Sequence, residues 1–201
     1  MKRIHLNQKA MDFLKDIFIN KLGLEIHHLE KFISLTKIKT LKKKEFLIQE
    51  GTVCEFIGFV VSGKLRSYVQ NDSVEFNNDF YLQNSLVTAY TSYLTRNPTN
   101  CNIEALADTG IICITYKQFN ALIEEDVRFL KLAKYISDVF FIKKCKRETS
   151  FLKNSATERF EPLCKAYPGI EQEISQYHIA SYLGIKPESL SRIKLLTYIN
   201  K

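Results

Sequence analysis

The chain has 201 residues, 45% hydrophobic and 25% charged, enough to build one large domain or two small ones. Its net charge of +7 favours an acidic partner, nucleic acid before a membrane surface, although many basic proteins are charged for solubility alone. No apolar run is long enough to cross a membrane and no secretory leader pattern occurs, so we expect a cytoplasmic protein without membrane contact.

The cysteines indicate neither a disulfide framework nor a metal centre. They are scattered, odd in number and without a C-x-x-C pair: Cys54, Cys101, Cys113, Cys145 and Cys164. We therefore predict no cofactor.

The first predicted elements are helices over residues 5–36, interrupted at Gly23. Apolar residues recur at helical spacing on both sides of this glycine. They are Leu14, Ile17, Phe18 and Leu22 before it, and Leu24, Phe32 and Leu35, with His28, after it.

Short runs rich in Val, Ile, Phe and Tyr follow from about Ile38, with turn residues between them. This pattern is typical of an antiparallel sandwich or barrel. Gly51, Gly63 and Gly110 are expected at turns. The runs are EFLIQEG, FIGFVVSG, KLRSYVQND, VEFNNDFY, CNIEALADTG and IICITY.

Residues 127–151 contain neither Pro nor Gly and predict a helix about 38 Å long. Phe129, Ala133, Ile136 and Phe140 recur along it at helical spacing. Because such a helix is longer than one side of a small domain, we expect part of this stripe to form a homodimer seam. The alternative is that the stripe packs back on the β domain. Lys143, Lys144, Lys146 and Arg147 make its distal end basic.

Three further helices are predicted near the carboxyl end. The stretch SATERFEPLCKAYPG predicts a helix capped by Ser155 or Thr157, and ISQYHIASYLGIKPESLSRIK predicts helices over 176–183 and 187–195. Ser175 caps the first of these two, Gly184 ends it, and Pro187 opens the next. Together they predict a helix-turn-helix, although an ordinary corner between two helices needs the same features.

The outward face of the last helix favours DNA binding. Arg192 can bind guanine, Glu188 can accept from cytosine, and serines can bond phosphates. A surface ion pair between Glu188 and Arg192 is the alternative. The candidate DNA-binding residues are Ser175, Gln176, Lys186, Pro187, Glu188, Ser189, Ser191 and Arg192.

The segment IASYLGIKPESLSRIK resembles the helix-turn-helix of the Crp/Fnr transcription regulators, the cyclic-AMP receptor protein family. The stretch KKKEFLIQEGTVCEFIGFVVSGKLRSYV is similar to the opening strands of that family's β-roll. IEALADTGIICITYKQFNALIEED is similar to its closing strands and next helix. The resemblance covers roughly residues 25–195.

The resemblance implies an α+β fold in three parts. Residues 1–126 would form an antiparallel double-stranded β-helix, a jelly roll like the cyclic-nucleotide-binding domain, with flanking helices. Residues 127–152 would form the dimerisation helix, and residues 153–201 the helix-turn-helix domain. It further implies a homodimer through 127–151 that binds double-stranded DNA at an inverted repeat, with RNA polymerase as a further partner.

The ligand pocket departs from the family pattern. Members that bind cyclic nucleotides carry a Gly-Glu-Leu turn and an Arg-Ser or Arg-Thr pair, where this chain has Thr88-Ala89-Tyr90 and Thr99-Asn100. We therefore predict that cyclic nucleotides do not bind, and we interpret Arg96 as an isolated surface residue. An apolar effector is an open alternative, since five apolar residues would line a cavity or form core: Tyr81, Leu86, Tyr90, Tyr93 and Leu94.

Two other classes of protein remain as alternatives. A cupin-like enzyme needs several histidines or carboxylates converging inside the barrel, but His5, His27, His28 and His178 all lie outside the predicted strands. We therefore predict that the chain is not an enzyme. A sensor or scaffold that does not bind DNA is the second alternative.

Overall fold

Two antiparallel four-stranded sheets form a sandwich in the computed structural model, which describes residues 8–199. One sheet has the order β1-β8-β3-β6 and the other β2-β7-β4-β5. The predicted combination of an antiparallel β sandwich and a long helix is confirmed. The strands are β1 Lys37–Leu41, β2 Phe46–Ile48, β3 Phe56–Ser62, β4 Leu65–Asn71, β5 Val74–Tyr81, β6 Leu86–Val87, β7 Asn102–Ala105 and β8 Thr109–Thr115.

Helices precede and follow the sandwich, and a short one lies between β6 and β7; none in the described part of the chain could cross a bilayer. A 3₁₀ turn, Val127–Phe129, leads into the long helix. The helices are α1 Gln8–Lys15, α2 Ile26–Leu35, α3 Tyr90–Thr95, α4 Tyr116–Glu125, α5 Leu130–Lys153, α6 Ala156–Ala166, α7 Ile170–Glu173, α8 Gln176–Leu183 and α9 Pro187–Ile199.

The amino-terminal helices are more irregular than the sequence suggested. Residues Asp16–Lys21 form a π-helical segment, in which the Leu22 amide donates to the Ile17 carbonyl at 3.0 Å. Gly23, with φ +60°, then separates this segment from α2 as predicted. His5 lies outside the described residues.

The stripe expected at the dimer seam packs on the chain's own sandwich instead. Phe129, Ile136 and Phe140 are buried in the core that also contains the sheets. The seam prediction for these residues is therefore corrected, because the roll covers this face of α5 within one chain. A different face of α5 stays exposed: Leu130 is 50%, Phe141 69% and Leu152 81% exposed.

Two of the three glycines expected at turns adopt the left-handed conformation, Gly51 at φ +82° and Gly63 at φ +80°. Gly110 does not, which corrects the third expectation. It lies inside β8, paired with Thr40 and Ser62, and a Cβ there would lie 2.9 Å from the Ser62 hydroxyl oxygen. The close approach of the neighbouring strand, rather than a turn, requires glycine at this position.

Residues 65–68 of β4 and most of residues 77–81 of β5 are buried on both faces of the sheet. Leu65 points into the sandwich core, whereas Arg66, Asn77 and Asp79 are buried although they are polar. Phe80 of β5 belongs to a second apolar cluster with residues of α6–α9. The outer face of this sheet therefore supports the carboxyl-terminal helices.

Candidate nucleic-acid interface

The helix α8 begins and ends as the sequence predicts. The Ser175 hydroxyl accepts a hydrogen bond from the His178 amide at 3.4 Å, which caps the amino end. Gly184, at φ +69°, ends the helix, and its amide donates to the Ser181 carbonyl at 3.1 Å. The Ile185 amide bonds the Ala180 carbonyl at 3.0 Å and so turns the chain towards α9.

The helix α9 starts at Pro187, where a missing amide hydrogen costs nothing. The Lys186 carbonyl accepts from the Ser189 amide at 3.0 Å, so Lys186 occupies the capping position without a capping side chain. Leu190 and Ile193 are buried against the second apolar cluster. Their burial fixes which side of α9 faces outward.

The predicted DNA-binding residues all reach the surface, apart from the half-buried Pro187. The exposed set spans the start of α8 and the first two turns of α9: Ser175, Gln176, Lys186, Glu188, Ser189, Ser191 and Arg192. These residues therefore lie on helices whose opposite faces are buried.

The alternative role for Glu188 and Arg192, a surface ion pair, is not formed. Among the described residues, i, i+4 pairs occur elsewhere, at Lys134–Asp138 and Lys165–Glu161, but not between Glu188 and Arg192. The two side chains remain available to another molecule.

Positive charge accumulates in this part of the chain, since residues 143–201 carry a net charge of +5. Part of this charge is used structurally: Lys194, for example, pairs with Glu171 at 2.6 Å and ties α9 to α7. Lys186 and Arg192 lie on the outward side. The charge suits a polyanionic partner.

The opposite face of α8 rests on the sheet. The Ser181 hydroxyl donates to the Glu75 carbonyl at 2.9 Å and accepts from the Asn77 amide at 3.0 Å. His178 approaches Arg66 to 3.3 Å. Burial, and next the Arg66 charge, lower the pKa of His178.

A second polar contact joins β5 to α5 and to the segment after α6. Asp79 accepts from the Tyr167 hydroxyl at 2.6 Å and pairs with Lys143 at 2.6 Å. Burial, and next the Asp79 charge, raise the pKa of Tyr167 well above its usual value. Sequence reasoning missed these contacts because they join residues distant in the chain.

Tyr177 is an exposed aromatic residue next to Gln176 that the sequence-based set omitted. Its position opposite the buried residues of α8 could have identified it. It enlarges the outward surface at the start of α8.

The positions that correspond to the Gly-Glu-Leu turn of cyclic-nucleotide-binding members carry side chains that make contacts within the chain. Thr88 is buried and its hydroxyl donates to the Phe56 carbonyl at 2.8 Å. The Tyr90 ring stacks on Phe140 of α5 with centroids 4.9 Å apart. Tyr90 therefore packs α3 against α5.

Arg96 is not the isolated surface residue that we expected. Its guanidinium donates to the Cys54 carbonyl at 2.9 Å and pairs with Glu55. The guanidinium carbon lies 4.2 Å from the centre of the Tyr116 ring. Its guanidinium thus fastens the end of α3 to the roll.

The expected apolar set mostly forms core. Tyr81, Leu86 and Tyr93 are buried and Tyr90 is half-buried, whereas Leu94 is 56% exposed. Leu94 therefore lines no internal cavity. Within residues 8–199, no three His, Cys, Asp or Glu side chains are grouped to hold a metal ion.

Residues 38–126 match the family model of the cyclic nucleotide-binding domain. No curated protein sequence matches this chain. Among solved structures, the chain is similar to FixK2 from Bradyrhizobium japonicum at 17% identity and a TM-score of 0.71, over 82% of this chain and 85% of that one.

Two other solved structures share the fold. A CooA mutant from Carboxydothermus hydrogenoformans is 19% identical with a TM-score of 0.63, over 95% of this chain and 85% of that one. A protein from Eubacterium rectale, described as a transcriptional regulator of the Crp/Fnr family, is 17% identical with a TM-score of 0.66, over 89% and 85%.

Proposed function

We propose that this chain, whose residues 38–126 match the cyclic nucleotide-binding domain family and which has the fold of the Crp/Fnr regulators, is a transcription regulator that binds DNA as a homodimer. The observation that carries the proposal is the outward polar face of α9. Its inner face is buried, so this helix presents its amino-terminal turns to a partner. That face combines a positive charge, a negative charge and hydroxyl groups, and these polar groups suit the edge of a base better than an apolar protein surface.

In this mechanism α9 enters the major groove and α8 lies across the backbone. Arg192 donates to guanine and Glu188 accepts from cytosine. Ser189, Ser191 and Lys186 contact phosphates, and Ser175 with Gln176 contact the backbone at the start of α8.

A second copy is proposed to pack along the exposed face of α5. Leu130, Phe141 and Leu152 are spaced eleven residues apart, about three helical turns, and therefore lie on one side of the helix. Parallel packing of two such faces would bury all three side chains. We propose that the two α9 helices of this dimer enter successive major grooves, which lie about 34 Å apart, and this predicts an inverted-repeat operator. RNA polymerase is the partner expected of a regulator bound in this way.

The test is DNA selection with the purified protein, followed by fluorescence anisotropy on the selected site. Arg192→Ala should lose preference for that site over a scrambled one, because base contacts carry specificity. Lys186→Ala should weaken binding to both sequences and reduce the salt dependence.

Lys117→Ala, which removes an equal charge from an exposed position on α4, is the matched control and should bind normally. Unaltered site preference in Arg192→Ala would contradict the role assigned to α9. Absence of binding by the unmodified protein at low salt would favour the sensor or scaffold alternative.

A further inference from the structure

A small cavity of about 160 Å³ lies where α5, α6 and α8 meet, and its wall is basic. None of its lining residues is acidic. Four of them are cationic: Lys143, Lys146, Arg147 and Arg159. Lys143 already pairs with Asp79, which leaves three cations.

The two arginines border one aromatic ring. The Arg147 guanidinium carbon lies 4.3 Å, and that of Arg159 4.2 Å, from the centre of the Phe151 ring. Two positive charges therefore lie beside one ring at the edge of the cavity, and like charges that lie close together repel each other.

The arginines' terminal nitrogens bond only neutral acceptors. Arg147 donates to the Tyr182 carbonyl at 3.2 Å, and Arg159 donates to the Leu183 carbonyl at 2.8 Å. Among the described residues, no carboxylate pairs with either guanidinium. These bonds orient the side chains without neutralising them.

The Nε atoms of Arg147 and Arg159 are both buried and lack a hydrogen-bond partner within the described part of the chain. Native proteins rarely leave buried donors unpaired, and unpaired charged donors are the most costly. An oxyanion is the acceptor that guanidinium Nε–H groups pair with best.

We propose that this cavity binds the phosphate group of a small phosphorylated metabolite through Arg147, Arg159 and Lys146. A larger cleft of about 1100 Å³ shares Lys143, Lys146, Ala166 and Tyr167 with the cavity. It provides room for the organic part of such a ligand. A DNA backbone fits less well, because Lys146, Arg147 and Arg159 line a concave site rather than the outward face of α9.

The cavity joins the long helix to α8, so its occupant would fix α8 relative to α5. This regulatory consequence rests on the proposed function, whereas phosphate binding does not. The binding experiment therefore uses the full chain without DNA, so that a failure of DNA recognition leaves its result unaffected.

The experiment follows the arginine Nε–Hε resonances by nuclear magnetic resonance during titration with inorganic phosphate, and then with ribose 5-phosphate. Two resonances should shift saturably, and sodium chloride at matched ionic strength should leave them unmoved. Ribose 5-phosphate should bind more tightly than inorganic phosphate, because its sugar occupies the larger cleft.

Arg159→Gln should weaken phosphate binding by about tenfold or more, since a hydrogen bond to a charged group is lost. Lys165→Gln, an exposed substitution on α6, should leave binding unchanged. Arg159→Gln also loses the hydrogen bonds that Arg159 donates to the backbone carbonyls of Asn154 and Leu183. If that variant fails to fold, the wild-type titration alone tests whether phosphate binds. Absence of a saturable shift in wild type overturns the proposal, and so does an equal shift produced by sodium chloride at matched ionic strength.

Discussion

Arg66 of β4 and His178 of α8 lie 3.3 Å apart, Nη1 to Nδ1, where the sheet meets the carboxyl-terminal helices. Arg66 is only 5% exposed and is held by Glu75 and Glu104, at 2.6 Å each. The guanidinium is thus fixed in place, and a protonated His178 would face a charge that cannot move away.

Acidification should weaken this contact. Because burial and Arg66 lower the pKa of His178 below its usual 6.5, the unfolded chain takes up the proton first. The contribution of His178 is complete above pH 6.5 and is lost as the pH falls towards the folded-state pKa. Thermal melting of wild type and His178→Gln between pH 7.5 and about pH 5 should show a smaller decline in the variant. Glu75 and Glu104 also face His178, so an equal decline in both proteins would show that they offset Arg66.

Removal of the Asp79 carboxylate should destabilise the fold strongly. Asp79→Ala leaves Lys143 and the buried Tyr167 hydroxyl without their acceptor, at a cost of about 3 kcal/mol of unfolding free energy. Asp108→Ala is the control, because its pair with Lys42 is exposed and should matter little. Urea denaturation measures the unfolding free energy of both variants, and equal values would contradict the prediction for Asp79.

Gly184→Ala should destabilise the junction of α8 and α9 by about 1–2 kcal/mol, since φ is +69° there. Gly51→Ala imposes the same strain at φ +82° but without a neighbour within 4 Å. At Gly184 the new Cβ would lie 3.3 Å from Phe151. We therefore expect Gly184→Ala to melt at the lower temperature. A larger loss in Gly51→Ala would show that the Phe151 contact is accommodated.

Phe141→Glu should convert the proposed dimer into a monomer, because it places a charge in the middle of the exposed α5 stripe. Light scattering after size exclusion measures the mass, and anisotropy should show weakened DNA binding. Val74→Glu, also at an exposed apolar position but on the β4–β5 hairpin, serves as the control and should leave the mass unchanged. A monomeric wild type at micromolar concentration would refute the seam.

Local chemistry explains the elements that the sequence predicted well. The bounds of α8 follow from Ser175 and Gly184, and Pro187 marks the start of α9. Ser155, one of the two caps considered for α6, forms a capping box with Glu158. These features depend on residues within one or two turns, which is why periodicity and capping rules suffice to find them.

The apolar stripe on α5 shows what periodicity and capping rules do not predict. Phe129, Ile136 and Phe140 have the spacing of a seam, but spacing alone does not say whether the chain's own roll or a second copy covers them. The chain's own roll covers these three residues. The exposed face with Leu130, Phe141 and Leu152 can be identified only once the buried face of α5 is known.

The sequence by itself determined both ends of α8, the start of α9 and which side of α9 is apolar, because these depend on neighbours along the chain. It did not predict the short helices α3 and α7, nor that α9 continues beyond residue 195 to Ile199. Only the tertiary structure decided that Arg66 meets His178 and that Arg147 and Arg159 share the Phe151 ring. The first pair lies 112 residues apart, and such contacts are set by the packing of whole elements rather than by any local pattern.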